Sequence, residues 1–559
     1  MKKNIFKHTL LLAFLVLGTF GCKDQLDVGN PNAPTIGANV DDEAGIIALA
    51  SGGAYINGFQ NGDDWLGDSY FSLPWGYAEL LADLVGADAS NNQVTTIGIP
   101  DYIVLDDGTQ VNNSSSSSVG IIRAYNNRAA TGAGNNAIYY QWLNMYAMNN
   151  ASNVVLSLVD KIPFTGDAET KSNTIKAWAY WWKGYAYASI GSMYVAGVIA
   201  NEAGVPSNEY VSHEAILAES DTYFNMAAST LSSIGNVGDY TNVLARLIPA
   251  YCQVGNGGVL SIDMWKRNIN TMLARNIMLN KLAPFVDGKT TATITGATIG
   301  AMTPADWTAV KNLAANGIQE GDFIFTGRTT GKNDFFTAAL GSVAALTSSV
   351  NTSSTFKISE RFVQNFKPGD KRFENNFVSG TEYKNNYTYT TRWTILDGGA
   401  GLDGVYVYAS QTIGEHEVVI AGSFEENALI LAEANIRLGS LEAGLALIDD
   451  VRDYMGAGLG AVAGTGLDET EALTELTRER RVALMFRGLS FYDNRRYGWS
   501  YAISKGGGSY GNTVVESDLT VNTDVTISYN FMDYWDVPAD EFVLNPPSET
   551  SVEIENSRF

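Results

Sequence analysis

Residues 425–454 read as two short amphipathic helices around a tight turn, and no other stretch constrains the fold as much. Leu431 and Ala432 belong to the first helix, Gly439-Ser440 to the turn, and Gly444, Ile448 and Val451 to the second. Apolar residues at three- and four-residue steps make one helix face. Small residues opposite large ones let two antiparallel helices approach closely. The unit is near the ~34-residue tetratricopeptide period. Such a pair buries its apolar face only by stacking on neighbours. The expected fold is therefore mainly α, built from tetratricopeptide-like helical repeats.

Helical patterning recurs at residues 41–55, 139–160, 175–194, 214–234, 240–251, 263–282, 424–438, 441–454 and 469–492. Ile175, Trp178, Ala179, Trp182 and Ala186 follow helical spacing, which assigns Trp178, Trp181 and Trp182 to packing. Residues 283–420 are rich in Gly, Thr, Asn and Ser and predict a loop-rich insertion with short strands and small helices. A Gly-rich turn at residues 456–466 separates the last two helices, and the tail after Gly498 reads as irregular and aromatic.

The chain starts with Lys2, Lys3 and Lys7, an apolar run over residues 10–18, and Thr19-Phe20-Gly21-Cys22. A basic start, a short apolar run and small residues before a cut site describe a secretory signal. The run is shorter than the ~20 residues a bilayer span needs. Cys22 after Gly21 predicts a lipoprotein signal, with lipid on Cys22 and acyl chains as the anchor; the alternative is an ordinary signal peptide with a Cys near its cut. The expected organisation is a signal peptide at 1–21, a lipidated tether and strap at 22–42, and one domain at 43–559 containing the 283–420 insertion. With Cys22 acylated, Cys252 is left alone and no intrachain disulfide forms. The net charge of −24 argues against nucleic acid, which needs a basic surface.

No catalytic constellation is singled out. His213 and His416 stand far apart with one Cys, too few for a common zinc site. Asp101, Asp106 and Asp107 lack the alternate spacing of a calcium loop. Gly456, Gly458 and Gly460 follow a helix, where a dinucleotide fingerprint would link strand to helix. No Gly-x-Ser-x-Gly nucleophile motif is present. No cofactor and no metal are expected. The charge-dense stretch 478–496 reads as Arg–carboxylate cross-links to the preceding repeat.

Trp65, Tyr70, Phe71, Trp75 and Tyr77 crowd a loop after the first helix, beside Asp63, Asp64 and Asp68. Flat rings suit the apolar C–H faces of sugars, and carboxylates accept from hydroxyls. A core cluster is the competing reading. Trp307, Phe323 and Phe325 form a second aromatic group in the insertion.

Longer motifs carry a resemblance. Leu26-Asp27 and Asn30-Pro31-Asn32 open the mature chain; Tyr146 with Asn153 follows; then residues 177–194 and Gly204-Val205-Pro206. Later come Ala432-Glu433-Ala434-Asn435, Arg437-Leu438-Gly439 and Val451-Arg452. Glu479-Arg480-Arg481, Phe486-Arg487-Gly488, Asp493-Asn494-Arg495-Arg496-Tyr497-Gly498, Pro538, Glu541 and Asn545-Pro546 complete the set. In this order they resemble the SusD/RagB family of outer-membrane nutrient-binding lipoproteins. Arg487, where an acidic residue is usual, and Asn494 after Asp493 depart from the pattern.

The resemblance implies four tetratricopeptide-like pairs with a variable part, and a non-catalytic surface lipoprotein. It implies a SusC-like TonB-dependent β-barrel as partner, with the nutrient, a glycan above all, held between the two. Lys23-Asp24 resembles the signal that sends such lipoproteins to the cell surface. The resemblance also places binding aromatics in the two zones named above. A lipid-anchored helical-repeat scaffold without a small ligand is the alternative function.

Overall fold

A computed structural model describes residues 40–56, 74–87, 95–113, 117–127, 138–328, 356–383, 390–410, 412 and 414–559. Cys22, the signal and most of the tether lie outside the described residues. So do Asp63, Asp64, Trp65, Asp68, Tyr70 and Phe71.

The frame is helical: α1 (Glu43–Ala50), α2 (Pro74–Leu81), α3 (Tyr139–Leu158), α4 (Ala168–Met193), α5 (His213–Ser232), α6 (Ile262–Leu279), α7 (Pro304–Ala314), α8 (Phe424–Arg437), α9 (Leu441–Tyr454), α10 (Glu469–Ala483) and α11 (Ser490–Arg496). Helix α4 packs along α3 and α5, α6 bridges α5 to α7, and α8 meets α7, α9 and α10. The expected mainly α, repeat-based fold is the one observed. Among the described residues no helix is long and apolar enough to cross a membrane.

Helix α4 begins before the expected Ile175 because its first turns are polar. Its start is set by the Asp167 carboxylate, which accepts the Thr170 N–H at 3.1 Å. Further along α4, Trp178, Trp181 and Trp182 are fully buried, as expected. The Trp181 and Trp182 rings meet edge-on at 4.6 Å, and Phe325 lies 4.4 Å from Trp181. Two of their indoles hydrogen-bond within the core: Trp178 Nε1 donates to the Ala50 carbonyl and Trp181 Nε1 to Asn268 Oδ1, each at 3.0 Å. Aromatic pairs of this kind add about 0.5–1.5 kcal/mol beyond burial.

The α8–α9 pair forms as its residues require. A Cβ on Gly444 would stand 2.5 Å from Ile436 Cγ1 and 2.8 Å from the Ala432 carbonyl oxygen, so only glycine permits this approach.

Two expectations are corrected. The single helix expected at 469–492 is two helices, broken over residues 484–489. Phe486 (φ +60°) and Gly488 (φ +68°) enter the left-handed region and reverse the chain. The Gly488 N–H freed by the break donates to Glu79 Oε1 at 2.9 Å. The tail after Gly498 is not wholly irregular. Its strands join β1 (Tyr102–Val104) and β2 (Gln110–Asn112); a separate hairpin in the insertion contains β3 (Phe285–Val286) and β4 (Lys289–Thr290). The tail strands β5 (Ser509–Val515) and β6 (Val521–Ser528) complete an antiparallel sheet of order β5-β6-β1-β2.

Candidate binding site

Where the charged end of α10, the α11 exit, the β3–β4 hairpin and the start of β5 converge, they enclose a polar cleft of 340 Å³. That volume lies in the ~300–1,000 Å³ range of small-ligand sites. A hollow of 70 Å³ between α3, α4, α6 and α11 is far below it. A broader depression of 380 Å³ contains Phe559, whose ring is covered by Lys505 Nζ at 3.6 Å.

The cleft floor is polar and tightly bonded. Arg481 Nη1 donates to Asn494 Oδ1 at 2.9 Å, and Asn494 Nδ2 donates to the Ala82 carbonyl at 3.0 Å. Arg361 grips Asp83 with two bonds of 2.8 Å, and Tyr529 Oη donates to the same carboxylate at 2.6 Å. Burial opposes ionisation of Asp83, but Arg361 outweighs it and holds the carboxyl below its ordinary range.

Two aromatic rings face this floor. Trp499 is half-buried and rests 5.1 Å from Tyr497. Tyr510 is 45% exposed, with Lys289 Nζ 3.4 Å from its ring centre. Gly506 (φ +89°) and Gly508 (φ +99°) bring the backbone past both in a conformation side chains resist. Lys289 covers the Tyr510 ring, so the flat apolar surface offered beside amides and cations is that of Trp499. That combination suits a ligand with C–H faces and hydroxyls.

The aromatic candidates drawn from the sequence lie elsewhere. Trp75 belongs to α2. Tyr77 is 1% exposed and sits in the main core, where its ring offers no face to a ligand. Trp307 is 3% exposed: amphipathic α7 turns it inward with Val310 and Ala314 onto Ile430 and Ala434 of α8. The expectation of open binding rings is thus corrected for both. Phe325 is also buried, whereas Phe323 is 39% exposed. Trp499 and Tyr510 belong to the aromatic tail, where no spacing in the sequence sets them apart.

The charges at 478–496 serve the cross-linking role expected of them. Arg480 and Arg496 share Asp493, Arg496 also reaches Glu433, and Glu479 joins Arg372 to Arg452. Arg487 donates to Ser423 Oγ at 2.6 Å and Glu425 at 3.0 Å. Asp101 accepts the Ser118 N–H, and Asp106 accepts those of Thr523 and Asp524. His213 stacks on Tyr534 at 4.1 Å, and His416 faces a separate hollow of 190 Å³. Among the described residues no group of His, Cys, Asp and Glu could hold a metal.

No family model matches the sequence, and no curated protein matches it either. Solved structures do share its fold. A Bacteroides vulgatus protein to which sugar binding is ascribed superposes with a TM-score of 0.52 at 15% identity, over 91% of this chain and 98% of that one. A protein solved with xylogluco-oligosaccharide gives 0.51 at 13% identity, over 91% and 99%. A SusD-like carbohydrate binding protein from Bacteroides vulgatus gives 0.49 at 14%, over 92% and 94%. At such identities the likeness concerns the fold.

Proposed function

We propose that this chain, which carries the SusD-like fold, is a non-catalytic surface lipoprotein that binds an oligosaccharide and passes it to a TonB-dependent β-barrel. The observation that carries the reading is the cleft, in which Trp499 and Tyr510 stand beside the amides and cations of the floor. A sugar laid on Trp499 would bury its C–H face while its hydroxyls meet exposed polar groups of the cleft, Lys289 and Thr290 among them. Binding would be reversible, through the aromatic platform and the polar groups of the cleft alone. The xylogluco-oligosaccharide bound by a protein of the same fold supports the ligand class. Lipid on Cys22 would hold the protein at the outer membrane beside its transporter.

The test uses the exported Cys22→Ala protein in a screen of oligosaccharides and peptides. Binding of an oligosaccharide, weakened at least tenfold by Trp499→Ala, is the expected result. Peptide-only binding, or none, would overturn the reading. Affinity capture from outer membranes tests the partner: recovery without any β-barrel would count against it.

A further inference from the structure

The cleft is cationic in a chain whose net charge is −24. Lys289, Arg361, Arg478 and Arg481 line it, against Asp287 alone. Two of these cations have a carboxylate partner: Arg361 has Asp83, and Arg478 shares Glu475, at 2.9 Å, with Lys367 and Arg452. Lys289 and Arg481 have no carboxylate oxygen within 4.0 Å among the described residues.

Arg481 is the sharper case. It is 8% exposed. Its protein acceptors are the Asn494 amide oxygen at 2.9 Å and the Ala82 carbonyl at 3.4 Å, both neutral. A guanidinium has five N–H donors, so most of its capacity is unused. The neighbouring acids are committed elsewhere: Asp83 to Arg361, Asp493 to Arg480 and Arg496. Glu79 acts on Arg481 from beyond 4.0 Å, with its Oε1 accepting the Gly488 N–H and its buried Oε2 turned to no donor among the described residues. A buried charge without a counter-ion is strongly unfavourable, and natural proteins retain one chiefly where function uses it.

Beside that cation lies a ring. The Arg481 guanidinium carbon is 5.7 Å from the centre of Trp499. Lys289 stands on the exposed β3–β4 hairpin at the cleft mouth. Carboxylates are the natural match for a guanidinium fork.

We infer that the cleft selects acidic sugars, a uronate carboxylate meeting Arg481 and Lys289 while the sugar ring rests on Trp499. The inference deepens the oligosaccharide-binding reading and rests on it. It names a ligand class that a cleft of hydroxyl-binding amides alone would not prefer.

The experiment compares three probes on the exported Cys22→Ala protein by calorimetry: oligogalacturonate, the same oligomers fully methyl-esterified, and neutral xylogluco-oligosaccharide. Oligogalacturonate should bind at least tenfold tighter than its ester, and Arg481→Gln should abolish that preference. Because Arg481 is buried, Lys289→Gln on the exposed hairpin is the second variant, expected to weaken uronate binding several-fold with an unchanged Tm. Equal affinity for acid and ester would overturn the inference and leave oligosaccharide binding standing. Binding of xylogluco-oligosaccharide alone would do the same. Failure of all three probes, with a peptide bound instead, would remove the parent reading as well. Dextran sulfate, run beside the three probes as a charge control, would reduce the preference to unspecific charge and overturn it if it bound as tightly as oligogalacturonate.

Discussion

Arg496 holds Glu433 in a two-pronged, fully buried ion pair, Nη1 to Oε1 at 3.0 Å and Nη2 to Oε2 at 2.5 Å. It pins α11 to α8. Burial alone would raise the Glu433 pKa, but Arg496 and then Arg437 outweigh it and bring the value to about 2. Glu433→Ala should destabilise the protein by about 3–5 kcal/mol, because it strands buried guanidinium charge. The urea midpoint should fall with the m-value unchanged. A folded pKa below the unfolded one gives stability that is present above the unfolded value of ~4.3. That part should disappear as pH drops from ~4.3 toward about 2.

Glu79 behaves in the opposite sense. Burial lifts its carboxyl to about 8, against hydrogen bonds from Gly488 and Phe486 and the charge of Arg481. Its folded pKa is above the unfolded ~4.3, so the folded state holds the extra proton and stability is lost as pH rises toward about 8. Glu79→Gln keeps an acceptor for Gly488 and carries no charge. It should match wild type near pH 4, below the unfolded value, and exceed it at pH 9, measured by urea midpoints. A variant that is weaker at both values would contradict this.

Gly444→Ala tests the closeness of α8 and α9. Helix propensity favours alanine by about 1 kcal/mol. The new Cβ, however, meets Ile436 Cγ1 at 2.5 Å and a backbone oxygen at 2.8 Å. Overpacking of about 1–3 kcal/mol should win, and Tm should fall. A stabilised variant would mean that the two helices are free to separate.

Lys183 is buried, and its Nζ donates to the side-chain oxygens of Asn149 (2.8 Å), Asn153 (2.5 Å) and Asn201 (3.1 Å). Lys183→Met retains the stem and removes all three donors. Asn201 is exposed and keeps the Tyr187 hydroxyl, but the buried acceptors of Asn149 and Asn153 left unsatisfied cost about 1–3 kcal/mol each, so a loss of about 2–6 kcal/mol is expected on thermal or urea unfolding. A change below about 1 kcal/mol would show that water replaces the ammonium.

The helical frame was legible wherever the pattern was local. Gly439 and Gly444 announced the α8–α9 turn and its close packing, and the α4 tryptophans fell on one spacing. The break before α11 was not legible. Residues 484–492 continue an apolar pattern, and the left-handed turn begins at Phe486, a residue that does not signal it. It is stabilised by Glu79, 409 positions away. The cleft was hidden for the same reason. Its walls come from residues 286–294, 361–365, 474–481, 494–499, 506–512 and 529, so no spacing rule groups them. Trp499 and Tyr510 were visible as aromatics, but their company was not.

The pairing of Tyr102–Val104 with Thr526–Ser528 bears on the order in which the molecule is completed. An early strand has its central neighbour near the far end of the chain. Closing so long a loop is entropically slow, and contacts of this separation form late. Residues 102–112 therefore lack their sheet neighbour until residues 521–528 are in place. A sheet built in this way stays open until that strand arrives, and the late strand acts as its clasp.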